Sequence, residues 1–348
     1  IGFNNASLPD LNDSEFESQY QTFLQEISRL NDVKNVASIA ALPGGSSTEL
    51  GARSSGFQVI GKSDLIEQTI YFNRMDDKLM NALDIELVAG RNFDKTRANE
   101  MVNSRHYNIT AADDSSSIIL NMALVKLIGK DPQELINQQF QFGLDSRGQR
   151  FKIIGVINDY NTSSLKTVVE PTIFLGATTN PNTVVRLSGT QLSNQIANIK
   201  QVWQQFYPDA PFQYTFLDER FEQLYQEDKK FGFLFANFAG LAIFVAILGL
   251  FGLASFMSLK RTKEVGVRKI LGASSSSIIF LFFKDFVWLI LMAVLISIPL
   301  IYWNMTNWLD GYAYRIDFPW WVILLSMLLV TLLAFFTISW QTYKVATL

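Results

Sequence analysis

The sequence predicts a chain in two parts: an α+β soluble domain, then a helical stalk leading into an α-helical membrane domain with three transmembrane helices. Three observations carry this. Up to about Lys230 the chain is polar, rich in Asn, Gln, Ser and Asp, and it mixes short β-branched runs with amphipathic stretches. Beyond it Phe, Leu, Ile and Trp take over, and neither Phe231–Leu259 nor Phe286–Leu309 contains a charged residue. Each run exceeds the roughly 20 residues a helix needs to cross a hydrocarbon core. Between them lies Ser258–Ser277, with Lys260, Arg261, Lys263, Arg268 and Lys269 against the single acid Glu264. Basic residues that flank spans stay on the cytoplasmic side, so this loop faces the cytoplasm and the soluble domain does not.

The elements follow in order. Ser14–Leu30 places Phe16, Tyr20, Phe23, Leu24, Ile27 and Leu30 at helical spacing behind Asp13 or Ser14 as N-cap. Strands are expected at Asn35–Leu42, Phe57–Ile60 and Thr69–Asn73, the first ending in the loop Pro43–Ser47. Asp76–Leu83 reads as helix and Val88–Phe93 as a turn, while the polar stretch 97–117 is unassigned. Ile118–Asn121 reads as a short strand followed by a helix over Met122–Gly129 with glycine as C-cap. Phe140–Phe142, Phe151–Ile157, Thr172–Leu175 and Thr183–Leu187 are further strands. Gln191–Tyr207 is an amphipathic helix with Leu192, Ile196, Ile199, Val202, Trp203 and Phe206 on one face, and Phe212–Leu217 closes a strand–helix–strand unit.

Asp218 then caps a helix with no breaker through DERFEQLYQEDKKFG into the first span. Some 40 helical residues measure about 60 Å, so roughly half would stand outside the membrane as a stalk; the residues alone are equally compatible with a plain linker. Spans are placed at about 232–257, 280–304 and 320–343. Lys284 snorkels to the cytoplasmic interface, and Pro299 is positioned to kink the second span. The loop 304–319 holds one Arg and two Asp, as an outer loop should, and Trp303, Trp308, Tyr312, Tyr314, Trp320 and Trp321 form an outer aromatic belt.

Several chemistries are excluded or disfavoured. Without cysteine there is no disulfide, thiolate site or cysteine nucleophile, and a net charge of −3 argues against nucleic acid. The one histidine, His106, rules out multi-histidine metal sites and makes a Ser-His-Asp hydrolase improbable. Asp76-Asp77 and Asp113-Asp114 read as solvated turns or caps rather than general acid–base pairs. Gly56–Ser63 spells the phosphate-loop pattern, but its middle positions are strand-like and no strand precedes it, so the match reads as coincidence. Ile153–Asp159 reads as a buried strand leading to a turn. Charged residues are nearly absent inside the spans, which tells against an ion-coupled secondary transporter.

The order of residues in the basic loop is more specific than its charge. Arg261-Thr262-Lys263-Glu264-Val265-Gly266-Val267-Arg268 followed by Leu271-Gly272-Ala273-Ser274 resembles the intracellular loop of the FtsX/MacB-like ABC transporter permease family. The likeness continues through Ile279, Phe286, Tyr302, Trp308, Tyr314–Asp317 and Trp320-Trp321 to the C-terminus, and more loosely through ILNMALVKLIG and FKIIGVINDYNTSSL. It implies an extracytoplasmic MacB-like core domain over 1–217, of two subdomains with the second inserted at about 84–165, and an FtsX-like stalk and transmembrane domain over 218–348.

What the resemblance implies in function is a non-enzymatic permease subunit in a bacterial inner membrane. A separate cytoplasmic ABC ATPase would bind the ATP, and this chain would need no cofactor or metal of its own. Arg261, Lys263, Glu264 and Arg268 would contact that ATPase, with Gly266 and Gly272 permitting the close turn and the helix end. Motion of the ATPase would then drive export or extraction of a substrate. The further partners are a second permease half or homodimer partner and membrane lipids, with room for a periplasmic adaptor. Ile1 opens without a leader, so an upstream membrane helix and a longer parent chain are expected. A membrane-anchored regulatory module controlling a ligand response or a cell-wall enzyme without transport is the alternative of a different class.

Overall fold

The computed structural model describes residues 2–4, 13–45, 50, 57–59, 68–97, 100–101, 116–142, 149–189, 191–273 and 275–346. Two compact units divide it, Ile1–Tyr225 and Gln226–Leu348. His106, Asp113, Asp114 and all of the phosphate-loop pattern except Phe57–Val59 lie outside the described residues.

In the first unit one sheet takes in eleven strands among the described residues. These are β1 (Gly2–Asn4), β2 (Val33–Ile39), β3 (Phe57–Val59), β4 (Tyr71–Met75), β5 (Leu87–Gly90), β6 (Ser117–Asn121), β7 (Gln139–Phe142), β8 (Gln149–Ile157), β9 (Thr172–Gly176), β10 (Asn182–Leu187) and β11 (Tyr214–Thr215). Their order is β11-β1-β10-β2-β4-β9-β6-β8-β7-β3, with β5 alongside β8, and only the β4–β9 and β6–β8 pairs are parallel.

The central strands are buried on both faces, which explains why β6 and β9 read as unbroken apolar runs and not as alternations. In β6, Ile118 and Leu120 face one core and Ile119 the other; in β9, Ile173 and Leu175 oppose Phe174 in the same way. Helix α3 (Met122–Ile128) covers the first core with Leu124, Val125 and Ile128. Helix α2 (Leu79–Leu83) covers the second. A third core lies between α1 (Asp13–Ser28) and α5 (Leu192–Phe206), where Phe23, Trp203 and Tyr207 meet edge to face over Val36 and Val185. The helical spacing of Phe16, Tyr20, Phe23, Leu24 and Ile27 is borne out, since all five are buried. Leu192 is the exception on α5: it sits in the first turn, exposed, while Gln195 is buried and donates to Ser188 O at 3.0 Å.

The seam between β2 and β4 explains a buried acid. Their ladder has a single paired position, Ile39 with Met75, and side chains complete it. Asn73 Oδ1 accepts Ala41 N–H at 3.0 Å, and its amide donates to Ala41 O at 3.2 Å. Asp76 accepts Ser38 N–H at 2.8 Å and Lys78 N–H at 3.1 Å. Far from being a solvated cap, Asp76 is buried, and burial pushes its pKa up to about 6. It also shortens the expected helix, because its carboxylate holds the turn in front of Leu79.

Four other expectations are corrected. Val88–Phe93 is not simply a turn, because Leu87–Gly90 pairs antiparallel with β8. Gly90, at φ +75°, lies where an added Cβ would stand 2.2 Å from Ile154 O, so the strand depends on glycine. The closing strand shrinks to Tyr214–Thr215, and a short helix, α4 (Pro132–Leu135), follows the Asp131 cap unforeseen. Nor is the helix into the first span unbroken: α6 (Leu217–Leu224) ends at Tyr225, at φ −107° and ψ 7°, before α7 (Gln226–Lys260) begins. Phe216, not Asp218, is the α6 cap residue, with no side-chain bond.

The second unit holds α7, α8 (Thr262–Ile270), α9 (Ser275–Leu309) and α10 (Trp320–Ala346). Among the described residues, Gln226–Met257, Val287–Leu309 and Trp320–Thr337 are long and apolar enough to cross a membrane. This bears out the expected number of spans, three. The α10 helix packs against both α7 and α9. The α9 helix continues through Pro299. Tyr302, Phe318 and Trp320 stack at one end of this bundle, with Tyr302–Trp320 centroids 5.7 Å apart, and Trp308 meets Tyr312 at 4.9 Å.

Two measurements check the seam and the strand. The folded unit keeps a proton on Asp76 between about pH 4 and 6 that the unfolded chain has released, so this group's contribution falls as pH rises through that window. Asp76→Asn is therefore most harmful near pH 4. Its cost shrinks by about 3 kcal/mol by pH 7, read as the difference between variant and wild-type urea unfolding profiles of residues 1–225. Gly90→Ala lowers the unfolding free energy by about 3 kcal/mol at any pH in the same assay.

Candidate functional site

The basic loop folds as a helix set between two turns. Arg261 follows α7 directly, its N–H still donating to Met257 O at 3.0 Å. Lys263, Glu264, Gly266 and Arg268 all lie on α8. Glu264 precedes Arg268 by four residues, the favourable orientation for a helical ion pair, and the two meet at 2.8 Å. Both are about half exposed, so the pair adds only a few tenths of a kcal/mol to the helix.

Gly272 ends α8. It has φ +88°, Leu271 N–H donates to Val267 O at 3.1 Å, and Ala273 N–H reaches back to Arg268 O at 2.9 Å. A left-handed glycine with this six-residue return bond is the Schellman arrangement, which stops the helix and turns the chain toward α9. Gly272 thus stands at the end of α8. Gly266 is different: it lies inside α8, away from the turn, and no atom lies within 4 Å of where its Cβ would be. A mid-helix glycine costs up to about 1 kcal/mol relative to alanine, and inside this chain nothing repays it.

Sequence reasoning missed the apolar part of the site. Val267, Ile270 and Leu271 are 58%, 87% and 80% exposed. At 3.6 residues per turn they share one arc of α8 of about 100°, with Lys263 within it, the Glu264–Arg268 pair on one border and Gly266 beyond the other. The signal was legible as apolar residues at i, i+3 and i+4 inside a charged loop, but the charges drew attention first. The arrangement can bind an apolar groove with an acidic surround, since Ser258–Ser277 has five basic residues and one acid. Chemistry is another matter. Among the described residues no three His, Cys, Asp or Glu side chains cluster to hold a metal. The cavity of ≈ 320 Å³ between α9 and α10 is lined by apolar side chains plus Ser297 and Ser326. Both hydroxyls donate to their own helix, at 2.7 and 2.8 Å.

Comparison with known proteins agrees with this picture. Residues 237–348, about a third of the chain, match the family FtsX-like permease C-terminal. No curated protein matches the chain. Among solved structures, the periplasmic region of MacB from Actinobacillus actinomycetemcomitans is similar at 12% identity and TM-score 0.37, over 65% of this chain and 91% of that one. The extracellular domain of the noncanonic ABC-type transporter YknZ from Gram-positive bacteria is similar at 14% identity and TM-score 0.33, over 53% and 82%. The family match covers α8 and all but the start of the membrane unit, the part of the chain that holds the three candidate spans. The C-terminal third is thus similar to an FtsX-like permease, as the loop sequence suggested.

Gly272→Ala tests the helix stop. A Cβ at this left-handed position costs about 1 kcal/mol, so amide hydrogen exchange at Leu271 and Ala273 becomes roughly fivefold faster in the detergent-solubilised protein.

Proposed function

We propose that this chain is the permease subunit that receives the ATP-driven motion of a separate cytoplasmic ABC ATPase and passes it to its extracytoplasmic domain, so that a substrate is exported or extracted. The observation that carries the reading is α8. A nine-residue helix between two apolar spans presents Val267, Ile270 and Leu271 to solvent beside the Glu264–Arg268 pair and is stopped by Gly272. Exposed apolar side chains in a charged loop are costly unless a partner covers them. On this reading Arg261, Lys263, Glu264 and Arg268 set the orientation of docking, the apolar arc supplies most of its free energy, and Gly266 lets the partner backbone come close.

The rest of the machine follows the same reading. Residues 84–165 form the inserted lobe of the extracytoplasmic domain. In support, Ala89, Leu120, Leu124, Leu135, Phe140 and Phe151 fill the first core, which takes only Ile70, Phe72, Ile173 and Leu175 from outside that range. The α6 helix and the polar start of α7 act as the stalk. A second copy or homologous half completes the membrane assembly, the lipid is that of a bacterial inner membrane, and an adaptor outside the membrane is compatible with the export role.

The test is recovery of the native ATPase from cells that express the tagged chain. Burying one Ile or Leu is worth about 1.5–3 kcal/mol, so Ile270→Asp with Leu271→Asp lowers ATPase recovery at least about tenfold. The helix and the solubility of the chain are retained. Glu264→Gln and Gly266→Leu keep the partner bound but uncouple ATP hydrolysis from substrate movement. Unchanged recovery in the double variant overturns the docking assignment, and coupled hydrolysis with no substrate leaving the membrane replaces transport by a regulatory output.

A further inference from the structure

The α6 helix meets the rest of the first unit at identifiable atoms. None of its residues is fully buried, and Leu217 touches only the margin of the second core. One turn on, the chain after β2 comes very close: a Cβ on Gly44 would lie 3.1 Å from Arg220 Cβ and 3.3 Å from Phe221 N, at φ +78°. Only glycine permits that approach without strain. The N–H of Gly44 donates to Thr162 O at 2.9 Å. At the other end of α6, Leu165 N–H donates to Tyr225 Oη at 2.8 Å. The helix is therefore linked to residues 158–171, the loop between β8 and β9, indirectly through Gly44 at one turn and directly through Tyr225 at its end.

That loop is stiff and well rooted. Ser163 Oγ and Thr167 Oγ1 bond at 2.9 Å, and Thr167 N–H donates to Ser164 O at 3.0 Å. Asp159 accepts Ala123 N–H at 2.8 Å near its start. At its end Asn121 donates to Glu170 O at 2.8 Å and accepts Thr172 N–H at 2.9 Å. Its outer part presents Leu165 and Val168, the latter 67% exposed.

The geometry points to Tyr225 as a latch: a positioning residue whose hydroxyl ties the helix leading into the first span to the β8–β9 loop, so that displacement of α6 is handed to Leu165 and Val168. The latch deepens the function proposed above and rests on it. It identifies the outer loop, and not the sheet as a whole, as the part that moves.

The experiment is hydrogen exchange on the full chain in nanodiscs with its co-purified ATPase, without nucleotide and with ATP plus vanadate. In the wild type, nucleotide slows exchange in α8 and shifts exchange across 161–168 at least about fivefold. Without nucleotide, Tyr225→Phe speeds exchange at Leu165 by about tenfold. With nucleotide it keeps the α8 response and loses the 161–168 response. Gly44→Ala, which disturbs the other joint, loses it too. An α8 response with no 161–168 response in the wild type, or with the same response in Tyr225→Phe, overturns the latch alone. No nucleotide response in α8 overturns the latch together with the reading beneath it.

Discussion

A peptide group that enters hydrocarbon must find its hydrogen bond inside its own segment, and this requirement organises the second unit of the chain. The α7, α9 and α10 helices meet it as unbroken helices. Polar side chains along them obey it as well: Ser255 donates to Phe251 O, Thr306 to Tyr302 O and Thr331 to Met327 O, each at 2.7–2.8 Å. Charged residues cannot be accommodated that way, so they collect where the chain leaves the spans. The loop around α8 is one such collection, with five basic residues and one acid, and that imbalance makes it easy to see in the sequence.

The first unit answers a different constraint. It buries its central strands on both faces and must then satisfy polar groups that a thin sheet would leave to water. Asn121 does this three times over, capping α3 at Leu124, accepting Thr172 N–H and donating to Glu170 O. Asn73 and Asp76 do the same along the β2–β4 seam. Asp76 raises its own pKa in the process. The Arg91–Glu100 pair has the opposite effect on its acid: burial pushes the Glu100 carboxyl up, but the Arg91 guanidinium and Asp94 N–H outweigh it and hold the carboxyl below the usual range. A neutralising partner is what separates the two carboxyls.

Legibility followed the range of the interaction. The apolar stripe of α1, the strand–helix–glycine run from Ile118 to Gly129 and the three spans rest on neighbours within a few residues, and each was readable. So was the loop motif, because its residue order is itself the signal. The β5 strand was not, since Val88–Gly90 acquires its extended form only from β8, more than sixty residues on. Asp76 looked solvated because its two donors, Ser38 and Lys78, are gathered around it by folding. Tyr225 looked like one more residue of a helix: nothing in DERFEQLYQED announces a break, and its hydroxyl partner is Leu165.

Composition and periodicity by themselves determined that this chain has a polar α+β part and three apolar spans, and which way its basic loop is expected to face. These are properties of local apolar spacing and charge, and they need no distant contact. Only the tertiary structure decided which strands lie side by side and why an aspartate is buried at their seam. Pairing and burial are relations between residues far apart in the chain, and no local free energy specifies them.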